Sequence, residues 1–78
     1  MRKPLLVYAD WDEDAHVWCA FSDDIPGLAT EADTVEALME KLRAMLPELL
    51  EPNRGPLSEP IGYELFIRRF ATIEPAAA

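Results

Sequence analysis

The sequence predicts an α+β fold, a two-layer β-β-β-α-β domain with one long helix laid over one face of a sheet. Three observations predict it. Alternating apolar residues near both ends read as strands, and an apolar stripe at three-and-four spacing over residues 35–50 reads as a helix. Between them, Pro26-Gly27 and the proline-rich "EPNRGPLSEP" punctuate the chain as turn and loop. With 78 residues there is room for one core only. We expect a single domain over residues 1–72 and a patternless, disordered tail over 73–78.

"PLLVYADW" puts Leu5, Val7, Ala9 and Trp11 on one face and Leu6, Tyr8 and Asp10 on the other, a first strand. "DEDA" is a polar turn without glycine, and "HVWCAFS" is a second strand, Val17, Cys19 and Phe21 alternating against Trp18 and Ala20. Strand, short tip, strand makes a β-hairpin. Pro26-Gly27 suits the central positions of a type II turn, since proline presets φ and glycine accepts the positive φ that follows. "LATEA" then forms a short third strand.

Asp33 or Thr34 can cap the helix, Asp33 having Glu36 at the capping-box spacing. Val35, Leu38, Met39, Leu42, Met45, Leu46, Leu49 and Leu50 then share one face. Pro47 interrupts the hydrogen bonding, but the stripe stays in phase across it, which favours one kinked helix over a stop at Met45 or Leu46. Residues 51–60 read as loop, and "IGYELFIRRFA" alternates as the last strand.

Charge narrows the function. Residues 1–40 carry ten acids against Arg2 and Lys3, whereas residues 41–78 hold five of each sign, so the whole net charge of −8 lies in the N-terminal half. Such a field repels nucleic acid phosphate and draws basic partners. The acidity also serves solubility, and composition alone does not separate the two. Cys19 is the single cysteine, so no disulfide forms within the chain; set in "VWCAF" with no adjoining cation, it is expected to be a buried, unreactive thiol. The first apolar run is five residues long, too short for a signal sequence or membrane span, so a cytoplasmic location is expected.

"DWDEDAHVW" places acids at 10, 12, 13 and 14. An EF-hand loop starting at Asp10 fails at its sixth position, Ala15, and its twelfth, Phe21. A catalytic metal cluster needs carboxylates converging from several elements; Asp10, Asp24 and Glu64 are the one trio whose spacing leaves this open. His16 beside the tip reads as solvent-facing or cross-strand paired. Tyr8, Trp18 and Phe21 resemble a base-stacking platform, but the basic groove that single-stranded RNA requires is missing, and Arg68-Arg69 is too small a patch to supply it. We therefore expect no catalytic residue, no metal, no cofactor, no direct nucleic acid contact and no membrane contact. The acidic hairpin tip, with the pair Asp23-Asp24 beside it, reads as a binding surface or a solubility device.

Residues 9–51, "ADWDEDAHVWCAFSDDIPGLATEADTVEALMEKLRAMLPELLE", resemble the HicB antitoxin superfamily, and in particular a compact HicB-like family once catalogued as a domain of unknown function. The likeness rests on the tip acids 12–14, the aromatic strand through Trp18, the "DIPG" turn and the "TEADTVEALMEKL" start of the helix. The resemblance implies a partial ribonuclease-H-like fold without nuclease activity. It further implies an antitoxin that blocks HicA, a small basic mRNA-cleaving toxin. Many relatives add a C-terminal DNA-binding domain; only seven residues follow Ala71, so that function is not expected. Partner contact is expected at Asp12, Glu13, Asp14, Trp18, Asp23 and Asp24. Self-association into a homo-oligomer is also expected, through the helix or an open strand edge. The alternatives are an orphan homo-oligomeric accessory domain without a toxin, and a minimal metal-dependent nuclease.

Overall fold

The computed structural model describes residues 3–77; Met1, Arg2 and Ala78, included in the expected domain and tail, lie outside the described residues. The elements run β1 (Leu5–Asp12), β2 (Val17–Phe21), β3 (Thr30–Ala32), α1 (Val35–Arg54) and β4 (Tyr63–Arg68). This is the expected β-β-β-α-β order. The sheet order is β3-β2-β1-β4, with β1–β2 and β2–β3 antiparallel and β1–β4 parallel. The parallel pairing follows from connectivity: α1 and its following loop return the chain to the sheet's other end, as a parallel crossover requires.

One face of the sheet is dry. Leu5, Val7, Ala9, Trp18 and Ala20 pack with Leu38, Leu42, Leu46 and Leu50 from α1. Strand alternation supplies the first group and the helical stripe supplies the second. Ile25 and Leu28 join them, held by the Pro26-Gly27 turn: the Leu28 amide donates to the Ile25 carbonyl at 3.2 Å, and Gly27 takes φ 80°. That hydrogen bond and that φ are those of the expected type II turn.

Thr34, the second cap candidate, is the N-cap: its hydroxyl accepts from the Ala37 amide at 3.0 Å. The helix does not stop near Met45. It runs through Pro47 and also through Pro52, into a stretch expected to be loop, and closes at Gly55, whose amide donates to the Glu51 carbonyl with φ 77°. An interior proline costs about 3 kcal/mol when nothing compensates. Here the buried leucines on both sides of Pro47 keep the stripe continuous, while Pro52 falls in the last turn.

Candidate functional site

The sheet's second face has no covering layer among the described residues. Alternation and register place Leu6, Tyr8 and Asp10 of β1 there, beside Phe21 and Cys19 of β2 and Glu64, Phe66 and Arg68 of β4. Glu31 of β3 stands next to Cys19.

Across its middle runs a row of three rings from three strands. Tyr8 stacks on Phe21 at 5.6 Å and on Phe66 at 5.3 Å, centroid to centroid. Phe21 and Phe66 are 41% and 40% exposed, so the row is open to solvent rather than sealed as a second core. The Arg68 guanidinium sits 5.7 Å from the Tyr8 centroid and 5.6 Å from that of Phe21. Asp10 holds it there through two hydrogen bonds, Nε to Oδ1 at 2.8 Å and Nη2 to Oδ2 at 3.0 Å. The hydrogen bond and charge of Asp10 push the Arg68 pKa further up. The pair is solvent-screened, so its contribution is to orientation more than to stability.

Cys19 is half-buried on this open face, not enclosed as expected, because the core side of β2 is the Trp18–Ala20 side. Desolvation, then the charges of Asp12, Glu31 and Asp10, push its thiol pKa up, which keeps the sulfur protonated and poorly nucleophilic.

The acidic tip is largely occupied with building itself. Asp12 Oδ1 accepts from the Asp14 and Ala15 amides at 3.0 and 3.1 Å, and the Asp12 carbonyl accepts from the His16 amide at 2.8 Å. This side-chain cap closes a four-residue loop without glycine, and exposed His16 takes the left-handed conformation, φ 56°. Glu13 Oε2 accepts from the Trp11 indole at 2.6 Å. Trp11 in turn meets Trp18 edge-on at 5.1 Å and His16 at 6.0 Å. Trp18 is only 9% exposed and belongs to the core, which takes it off any partner-binding surface; the reason is that even-numbered β2 positions face the helix.

Asp23 and Asp24 do not lie beside the tip. They follow the far end of β2, roughly 17 Å of strand away. Asp24 Oδ2 accepts from the Leu6 amide at 2.9 Å, and the Ser22 hydroxyl donates to the Leu6 carbonyl. These two side chains continue the β1 ladder where β2 has ended. Among the described residues, the carboxylates of Asp14 and Asp23 have no such structural partner.

The trio Asp10, Asp24 and Glu64 does not converge. Asp24 and Glu64 flank Leu6, and Asp10 lies four residues further along β1, roughly 13 Å away. Among the described residues, no group of three or more histidine, cysteine or acidic side chains is arranged to hold a metal ion. No helix among them is long and apolar enough to cross a membrane.

Of the ring row, Tyr8 and Phe21 were legible as possible platform residues; Phe66 was missed. Its signal is present in the alternation of the last strand, but only the parallel β1–β4 register sets it beside Tyr8.

A small α+β domain with one helix-covered face and one open aromatic face fits the family whose model matches residues 4–73, described as a domain of unknown function, DUF1902. The chain belongs to that family. It is similar to the crystal structure of the hypothetical protein TTHA1013 from the extremely thermophilic bacterium Thermus thermophilus, with 49% identity and a TM-score of 0.68. The match covers 92% of this chain and 99% of that one. No curated protein matches the chain.

Proposed function

We propose that this DUF1902 domain is a non-enzymatic, HicB-like binding module that works in the cytoplasm as the antitoxin of a toxin–antitoxin pair. Its partner is a small basic mRNA-cleaving protein of the HicA kind, held on the open face of the sheet. The observation that carries the reading is the exposed Phe21–Tyr8–Phe66 row with carboxylates around it. Glu31 and Glu64 stand on the outer strands of the sheet, β3 and β4, while Asp14 precedes β2 at the hairpin tip and Asp23 follows its other end. Aromatic centres and charged rims are the usual anatomy of a protein interface. The rings supply affinity, and the acids hasten capture of a cationic partner and disfavour nucleic acid. The contact set therefore moves from Trp18 to Tyr8, Phe21 and Phe66, with Asp14 and Asp23 as steering charges. The partial ribonuclease-H-like classification belongs to the same proposal.

The test uses the full chain as bait, with the captured protein identified by mass. A small basic protein is expected, whose growth arrest on expression is relieved by the unaltered chain and not by Tyr8→Ala/Phe66→Ala. Charge reversal at Asp14 and Asp23 should slow association and flatten its salt dependence. Relief of toxicity at full strength by the Tyr8→Ala/Phe66→Ala variant would remove the open face from the interaction.

A further inference from the structure

The molecule is longer than its core requires. Its radius of gyration is 15.7 Å, against about 11.5 Å for a compact domain of this length. Its long axis is 61 Å, of which the 20-residue helix spans only about 30 Å. The surplus lies in the segment after β4. Residues 69–77 have no regular structure and are exposed throughout, with Phe70 at 89% and Ile73 at 98%. Arg69 lies 4.3 Å over the Trp11 ring, the next position along β1 from Asp10, so the chain leaves β4 in the strand's own direction. "RRFATIE" contains no glycine, asparagine or proline to turn it back.

The strand that feeds this arm is an open edge. β3, at the other side of the sheet, is three residues long; β4 has six, without proline or lysine. Natural edges are guarded by short length, charge or proline; β4 has charge only at Glu64 and at Arg68, which is paired with Asp10, and exposes Phe66 and Ile67. Near its first residue lies an apolar groove of about 380 Å³, lined in part by Met39, Leu46, Leu57, Ile61 and Tyr63.

We propose that the chain forms a two-fold symmetric dimer with a second copy of itself. The two β4 strands pair antiparallel, and each arm reaches the groove of the other copy. The geometry selects this occupant. A two-fold axis through the middle of β4 sends the segment after Arg68 past Tyr63 of the second copy and brings Ile73 to its residues 58–61. Strand alternation puts Ile67 on the side of Tyr63 and Leu65, which is the helix side and therefore the groove side, and an arm that continues β4 as a strand in the dimer carries Ala71 and Ile73 to that same side. Exposed edge, exposed arm and empty groove are thus satisfied by one symmetry operation. Both helices fall on the same side of an eight-stranded sheet, and the two open faces join with Phe66 of each copy at the seam. This assembly does not depend on the toxin-binding reading, since it uses the edge and the helix side.

Sedimentation of the full chain across a range of concentrations should give twice the monomer mass of 8.8 kDa. Ile73→Asp should weaken the dimer about 100- to 10,000-fold, because the symmetric dimer loses two buried isoleucines at about 10- to 100-fold each. Because Ile73 is almost fully exposed in the single chain, this substitution removes no packing from the monomer. Hydrogen exchange provides the second readout: β4 amides facing the edge should be protected in the dimer and exchange quickly in the Ile73→Asp variant. A monomer at every concentration overturns the proposal. So does a dimer whose edge amides exchange as fast as free ones.

Discussion

The two faces of this sheet are cut from the same strands yet do different things. Leu5, Val7, Ala9, Trp18 and Ala20 are shut against four helical leucines, whereas Tyr8, Phe21 and Phe66 stack on one another and stay wet. The dry face uses small and aliphatic side chains, with the indole of Trp18 among them, packed against the helix; the wet face uses rings that gain contact from neighbours in the same layer. Stability resides in the first, because only the first removes its apolar surface from water within the single chain; the second is the face proposed above for partner binding.

Leu42→Ala is the largest expected effect. Leu42 is fully buried, and its truncation should cost about 2–5 kcal/mol in urea unfolding. In a domain this small, that is a large part of the total. The seam where β2 gives way to Ser22 and Asp24 should come next. Asp24→Ala leaves the Leu6 amide without its charged acceptor, and about 1.5 kcal/mol should be lost, less where water replaces the carboxylate. Phe66→Ala should cost about 1 kcal/mol or less, since it forfeits one ring contact and little enclosed volume. If it destabilised the fold as much as Leu42→Ala, the open face would be a second core and the contrast would fail.

The smallest effect sharpens the contrast without touching stability. With its pKa raised, Cys19 should resist alkylation at neutral pH and react only at higher pH than a free cysteine. Glu31→Gln removes one of the charges that raise it, so the alkylation profile should shift towards lower pH. A profile that shifted upwards would reverse the assigned sign.

Local signals were the legible part. The Pro26-Gly27 turn, the Leu38–Leu50 stripe and the alternation in β1 each depend on residues within a turn or two of one another. The length of α1 was less legible. Pro52 reads as a breaker, yet it falls in a helical turn that Leu50 and Gly55 hold in place. The roles of the side chains at the candidate site were the least legible. Charge density drew attention to the tip, but Asp12, Glu13 and Asp24 are committed to backbone or indole donors. Hydrogen-bond commitment of that kind cannot be read from a run of acids.

By itself, the sequence determined which segments are strands, where the helix lies and that the acidic charge falls in the N-terminal half. Those properties follow from backbone geometry and side-chain period acting over a few residues. Tertiary structure decided which face of the hairpin the helix would cover, and with it the fates of Trp18 and Cys19. It also decided that β4 returns parallel to β1, which sets Phe66 beside Tyr8 and Arg68 beside Asp10. The reason is physical: alternation makes two faces with opposite residue sets, but which face becomes the interior depends on contacts between residues far apart in the chain.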